Sequence, residues 1–388
     1  MMISEVINVS IPQTMFGPGA VKKLGDVAKG FAPTRILIVT DPGLEKTDII
    51  KTVSSQLEEA GFKPDVYNKC GIEAPVSAIE ELASKVKNEK YDLLVGVGGG
   101  SNMDTTKAAS IIAANDGITI QDLLEDKPVE KSLPKIVIPT TAGTGSEWSI
   151  VAVITNSDGR TYPYFTPKNY PDAVIIDPEL TRNLPQKITA DTGMDALTHA
   201  IEAYTSIKAN IVSDMFSSYA IKLISGSIRQ AFSKGSINIE DRYKMSIAAS
   251  FAMLAGSVGG LGIAHFMNVA LGKKAGITHG ATVTLLLPYV MEFNMISNPG
   301  KYADIVRLMG ENTIGLSDME AARKSVEIVR SLSKDLGIPQ KLSDVGITEA
   351  DIPQLVEELM TYQTFPIGLQ NPRDVSKEDA FKIYQNAL

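Results

Sequence analysis

Residues 91–101 read Tyr-Asp-Leu-Leu-Val-Gly-Val-Gly-Gly-Gly-Ser, and this stretch decides the fold. An apolar run of strand length ends in glycines, and a helix-favouring sequence begins near Ser101. Consecutive glycines let the backbone approach a phosphate closely. The amino end of the next helix adds free N–H groups and positive partial charge. Ser101 is placed to cap that helix and to offer a hydroxyl donor. A tight strand-to-helix turn with no ligand would carry the same letters, so the surroundings must decide. The pattern is not G-x-G-x-x-G at a first βα turn, nor a P-loop, because no Gly-Lys-Ser/Thr follows.

The stretch lies within a strand–helix alternation. Upstream, 35–41 (RILIVTD) reads as a buried strand ending in Asp-Pro-Gly, 44–60 as a helix, 63–68 as a strand and 76–90 as a helix. Downstream, 135–141 (KIVIPTT), 151–155 (VAVIT) and 172–177 (DAVIID) read as further strands. Such alternation implies a parallel sheet covered on both faces. A second loop, 139–147 (PTTAGTGSE), also leaves a strand and is dense in hydroxyls and glycines. Two such loops at carboxyl ends of one sheet suggest a dinucleotide crossing the sheet edge. Asp41 could accept from the adenosine ribose hydroxyls, and its charge would repel a 2′-phosphate, favouring NAD over NADP. It reads equally well as a turn residue before Pro42.

The character changes near Leu184-Pro185, after which strands nearly vanish. The expected organisation is an α/β domain over 1–184 and an all-helical domain over 185–388. All three histidines of the 388 residues lie in the helical half. Asp195 and His199, four apart, project from one helical face. His265 and His279 are fourteen apart, the length of a helix and its following loop. A single histidine in an apolar stretch is usually a bonded core residue. Histidine's absence from the rest of the chain turns the reading toward a metal site, since three imidazoles and one carboxylate form a ligand set for a divalent transition metal. Residues 246–272 carry no charge besides that of His265. Their glycines and the Gly259-Gly260 break favour two buried helices over a membrane span.

A net charge of -8 with no basic run argues against nucleic-acid binding. Cys70 is the only cysteine, which excludes intrachain disulfides and fits a reducing cytoplasm. No signal peptide is read at the start, and no membrane partner is expected. A homo-oligomer is expected from enzyme size alone.

Together, FGPGAVKKLG, GGGSNMD, PTTAGTGSE, GMDALTHAIEAY, GIAH, ITHG and the terminal NPRDVSKEDAFKIYQNAL resemble the iron-dependent (group III) alcohol dehydrogenase family over essentially the whole length. The resemblance implies a Rossmann-like nucleotide-binding domain followed by an all-α domain, a dehydroquinate synthase-like architecture. It implies that Asp195, His199, His265 and His279 bind the catalytic ion, Fe2+ by resemblance, although such ligands also accept Zn2+, Mn2+ or Ni2+. Gly98, Gly99, Gly100, Ser101 and Asp104 match the pyrophosphate segment, and Thr140, Thr141 and Thr144 match the nicotinamide-side loop. The implied activity is hydride transfer between NAD(H) and a small primary alcohol or aldehyde.

Two positions depart from the family's pattern. Val269 stands where a histidine follows the third ligand by four, and Thr161 stands where a lysine precedes Tyr-Pro. Their departure leaves the proton relay open. An alternative within the same chemistry is a hydroxyacid dehydrogenase or transhydrogenase acting on a carboxylated or sulfonated aldehyde, which needs a cationic anchor such as Arg160 or Lys168. A lyase similar to dehydroquinate synthase would need several basic residues around the metal motifs, and GMDALTHAIEAY has none. The remaining alternative, a non-catalytic metal- or nucleotide-binding protein, does not suit an intact ligand set beside an intact cradle.

Overall fold

A computed structural model describes residues 6–362 and 370–388. The strands are β1 (Gln13–Phe16), β2 (Ile36–Val39), β3 (Asp65–Tyr67), β4 (Leu93–Gly98), β5 (Lys135–Pro139), β6 (Val151–Thr155), β7 (Thr161–Phe165) and β8 (Ala173–Ile176). Six of them form one sheet in the order β1-β8-β5-β4-β2-β3, and every neighbouring pair is parallel. β6 and β7 form a separate antiparallel hairpin.

Alternation along the strands explains why the sheet is buried on both sides. Leu37, Val39 and Leu94 enter one apolar cluster with the helix Val76–Glu89. Ile36, Ile38, Leu93, Val95 and Val97 enter the opposite cluster with the helix Asp48–Glu59. A strand clothed on both faces has no polar side to show, hence the unbroken apolar runs.

The chain order across the sheet fixes where a ligand can lie. After β2 the chain moves outward to β3, then crosses back to lay β4 on the other side of β2. The loops leaving β2 and β4 therefore part at their carboxyl ends, which is the topological switch point of such sheets. β5, paired with β4 in register Gly98↔Pro139, brings the threonine loop beside the glycine loop.

Helices account for the second half, beginning with Gln186–Thr205. No single helix among the described residues is long and apolar enough to cross a membrane. The apolar stretch forms two helices, Ile239–Gly259 and Ile263–Leu271, bent by 101° at their junction. Gly260, at φ 80°, supplies the left-handed residue that this corner needs. A core of residues such as Ile263, Met267, Leu286, Leu359 and Tyr384 joins Ile263–Leu271, His279–Asn294, Ile352–Tyr362 and Lys377–Asn386.

By packing, the described residues fall into two compact units. One comprises Pro12–Thr192 with Gln230–Ser250 and carries the sheet. The other comprises Gly193–Arg229 and Phe251–Leu388, with the start of the chain up to Ile11.

Two strands escaped the sequence reading. β1 is four residues at the sheet edge, mostly half-exposed, with too little apolar run to register. β7 contains Pro163, which argues against a central strand, and the two-stranded hairpin leaves it an edge to occupy.

Candidate metal centre and nucleotide cradle

Three helices bring the metal candidates together within the helical unit. Asp195 and His199 lie one turn apart on Gln186–Thr205, His265 is on Ile263–Leu271, and His279 is the first residue of His279–Asn294. Thr278 caps that last helix by accepting from the Ala281 N–H, which fixes the entry of His279. Asn371 and Asn294 exchange amide hydrogen bonds of 2.7 Å, and the Ile263 N–H donates to Asn371 Oδ1. The terminal motif thus ties down the start of the His265 helix.

Asp195, His265 and His279 each offer a ligand atom within 4.8 Å of the others. Asp195 Oδ1 is 3.6 Å from His265 Nε2 and 3.7 Å from His279 Nε2. Two ligands held about 2.1 Å from a shared ion at a tetrahedral angle stand roughly 3.4 Å apart. His199 does not join that set of three; its ring stacks on that of His265, with centroids 4.3 Å apart. Asp195 Oδ1, His265 Nε2 and His199 Nδ1 are buried with no hydrogen-bond partner. Buried polar atoms are rarely left so, and the Asp195 and His265 pair, 3.6 Å apart, fits a cation.

The charges point the same way. Burial works to raise the Asp195 carboxyl, but the three histidines outweigh it and hold it well below the usual carboxylate range. Burial pushes the His199 imidazole down to about 3. Burial opposes protonation of His265 too, yet Glu202 and Asp195 overcome it and push that ring up to about 9. Two buried carboxylates beside imidazoles are a site that wants positive charge.

Sequence reasoning missed Glu202 and Asn268. Glu202 Oε2 is 2.6 Å from His265 Nδ1, and Asn268 Nδ2 is 2.7 Å from His279 Nδ1. The available signal was spacing: Glu202 follows His199 by three and Asn268 follows His265 by three, each on its ligand's own helical face.

In the sheet-bearing unit the glycine loop is interlocked with its neighbours. Gly98 sits at φ 148°, and a Cβ there would lie 2.0 Å from Asn102 Nδ2. A Cβ on Gly100 would meet Thr144 at 2.8 Å, and one on Gly99 would touch Thr141 at 3.4 Å. The helix Gly100–Ala114 is capped by Gly99 through its backbone alone. The expectation that Ser101 caps it is corrected: Ser101 lies inside the first turn, and its hydroxyl accepts from the Glu73 N–H at 2.9 Å. The Asn102 and Met103 N–H groups turn back onto the Gly99 carbonyl, and with no side-chain cap those of Gly100 and Ser101 are the ones an anion would use.

Asp41 takes up the turn role. Its Oδ1 accepts from the Gly43 and Leu44 N–H groups, and its Oδ2 accepts from Asn102 Nδ2 at 2.9 Å. Asn102 also donates to the Val97 carbonyl and so ties the ends of β2 and β4 across the switch point. Asp104 points inward: it accepts from Ser146 Oγ at 2.6 Å and from the Val153 N–H at 3.0 Å. Thr140 is buried, with its N–H on the Gly98 carbonyl, while Thr141 and Thr144 are partly open. Thr144 Oγ1 accepts from the Ser146 N–H.

Beneath the threonine loop lies a charged network absent from the sequence reading. Lys107, fully buried, donates to the Ser146 carbonyl, the Val151 carbonyl and Asp104. Glu147, also buried, accepts from Ser250 Oγ at 2.5 Å. Burial lowers the Lys107 ammonium and raises the Glu147 carboxyl. Lys107 follows Asp104 by three, one helical turn, which was the signal to read.

The two candidate anion anchors lie at the hairpin turn and just after β7. Arg160 is exposed at the hairpin turn, 4.0 Å from Asp158, and Lys168 lies in a short helical turn capped by Thr166. Trp148 and Tyr164 are core residues, bonded to Thr14 Oγ1 and the Lys127 carbonyl. Thr161 pairs with Thr155 in the hairpin, and Val269 is half-buried one turn beyond His265.

Comparison with known proteins adds the following. The pattern of the family described as "Iron-containing alcohol dehydrogenase" matches residues 12–178. That of the "Fe-containing alcohol dehydrogenase family, C-terminal" matches residues 189–388. The chain is 37% identical over 381 residues to a NAD-dependent methanol dehydrogenase of Bacillus methanolicus, spanning 97% of this chain and 98% of that one. It is 36% identical over 380 residues to a 1,3-propanediol dehydrogenase of Klebsiella pneumoniae, spanning 96% of each. The solved structure of an alcohol dehydrogenase from Oenococcus oeni superposes with a TM-score of 0.94 at 36% identity, covering 99% of this chain and 100% of that one.

Proposed function

The chain belongs to the iron-containing alcohol dehydrogenase family, and we propose that it moves hydride between NAD(H) and a small primary alcohol or its aldehyde. The observation that carries this reading is the meeting of Asp195, His265 and His279 ligand atoms around orphaned buried polar groups. In this reading His199 completes the ligand set, and the ion is Fe2+, as the family name indicates. A divalent ion bound there supplies a Lewis acid for the substrate oxygen.

The protein's own groups do the rest. Gly98, Gly99 and Gly100 admit the pyrophosphate to the amino end of the Gly100–Ala114 helix, and Ser101 lends a hydroxyl proton. Asp104 acts by holding the threonine loop rather than by touching the nucleotide. Thr140, Thr141 and Thr144 border the nicotinamide. Asp41, with lone pairs still able to accept from a ribose, keeps its negative charge where a 2′-phosphate would have to sit, so NAD is preferred to NADP. With every imidazole given to the metal, no histidine serves as general base. Proton exchange then runs through the cofactor ribose and water, with Thr144 or Thr161 assisting.

Small neutral alcohols are supported by the named activities of the two relatives, and Arg160, one of the two candidate anchors, is exposed. A cytoplasmic enzyme is supported by the single buried cysteine, whose thiol burial pushes up to about 12. A homo-oligomer is supported by Ile211, Met215 and Tyr219, one face of the Ile211–Lys234 helix, exposed by 73, 58 and 52%.

The test is anaerobic. Metal-free protein is offered NAD and a series of short primary alcohols, with and without Fe2+, and NADH formation is followed. Turnover that depends on the ion is expected; NADH formation unaffected by metal, or absent with every alcohol, would overturn the reading.

A further inference from the structure

We propose that Glu202 is a positioning residue of the metal centre, holding His265 in the tautomer whose Nε2 is free to bind a cation. This rests on the reading of Asp195, His199, His265 and His279 as the ligands. Glu202 is 4% exposed, and each of its oxygens has an assigned task. Oε1 accepts from the Ala264 N–H at 2.7 Å, which anchors the carboxylate to the start of the Ile263–Leu271 helix. Oε2 is thereby aimed at His265 Nδ1, 2.6 Å away.

With Oε1 already accepting from the Ala264 N–H, Oε2 is the oxygen placed to accept a proton held on Nδ1. A singly protonated ring then keeps its lone pair on Nε2. That is the atom 3.6 Å from Asp195 Oδ1, buried and without a hydrogen-bond partner. Gly262 makes the arrangement possible, because a Cβ there would come within 2.8 Å of Glu202 Oε1. Charge adds a second effect. Asp195 and Glu202 set two buried carboxyl groups beside the imidazoles, a pairing that suits a divalent ion.

The experiment titrates metal-free protein with Co2+ and follows the visible absorption of the bound ion. Glu202→Gln keeps the shape but loses the charge and the obligation to accept, and should weaken Co2+ binding about 10- to 100-fold. Glu202→Asp keeps the charge with a shorter reach and should fall between the two. If the Gln variant does not fold, the Asp variant against the parent carries the comparison.

A second readout uses 15N-labelled histidine in Zn2+-loaded protein. With three histidines there are three ring systems, and His265→Ala identifies one of them by its disappearance. The parent ring should be protonated at Nδ1, with a proton signal shifted by a strong hydrogen bond that Glu202→Gln loses. Co2+ affinity of the variant within twofold of the parent, with that proton signal unchanged, would overturn the proposal. Parent protein that takes up no Co2+, or His265→Ala that binds it as tightly as the parent, overturns the ligand assignment itself and the proposal with it.

Discussion

At the scale of single residues, scarcity made the metal candidates visible. Asp195, His199, His265 and His279 could be named because so few imidazoles had to be explained, whereas Glu202 reads like any solvated helical glutamate until its burial is known. Asp41 shows the converse, a residue whose two readings were both written in the sequence. Its capping bonds to Gly43 and Leu44 are present, and they leave its charge in place. A substitution that separates the two is Asp41→Ser, since serine still caps. Because serine does not replace the acceptor for Asn102, we expect a loss of ~1 kcal/mol in stability while the NAD-over-NADP ratio of kcat/KM falls at least about tenfold. Asp41→Ala should show the same shift and lose a further ~1 kcal/mol, measured by urea unfolding. His265→Ala is expected to lose bound metal and turnover together, by about 10³-fold or more in kcat, because the Lewis acid contributes several kcal/mol. Full activity in that variant would refute the metal assignment.

At the scale of elements, strands were legible where an apolar or β-branched run announces them and illegible where polar residues or a proline interrupt it. β2, β4 and β5 announce themselves by apolar runs; β1, opened by Gln13 and Thr14 and largely half-exposed, and β7, which holds Pro163, do not. The glycine loop was read as a phosphate cradle, but its interlock with Asn102 and Thr144 is a tertiary fact. Gly98→Ala should therefore destabilise the protein by ~1–3 kcal/mol and raise the KM for NAD, through overpacking in a left-handed backbone position. A result near zero in both would show that the loop yields easily. β5 itself begins with Lys135, buried beside Ser132 Oγ at 3.1 Å, and burial lowers its ammonium to about 8. Between pH 8 and 10.5 the unfolded chain binds a proton that the folded chain does not, so stability rises with pH across that window. At pH 7 both states are protonated and the folded state carries the whole desolvation penalty. Lys135→Met is accordingly expected to stabilise the protein by ~1–3 kcal/mol at pH 7, a gain that shrinks as pH passes from 8 to 10.5. Urea midpoints at pH 7 and 10 check the sign.

At the scale of the whole molecule, the disappearance of strands beyond residue 184 was plain in composition, since β8 ends at Ile176 and helices follow from Gln186. The association of Gln230–Ser250 with the sheet-bearing unit is a long-range packing fact that local periodicity does not carry. The metal candidates sit on three helices of one unit, so an ion there ties together segments far apart in sequence. Saturating metal at about 100 times its Kd should stabilise the fold by ~2.7 kcal/mol. Chelation should slow no exchange and instead release amide protection in those three helices, read by hydrogen exchange with mass detection. Equal protection with and without the ion would contradict the site.

The concentration of every imidazole in that one unit has an outcome for how the enzyme meets its surroundings. Histidine is the side chain that ordinarily changes charge between pH 5 and 8. Elsewhere the chain has spared itself that kind of group altogether. Here burial carries His199 down to about 3 and neighbouring carboxylates carry His265 up to about 9, so neither ring changes charge across that interval, and the chain is left with little imidazole buffering of its own.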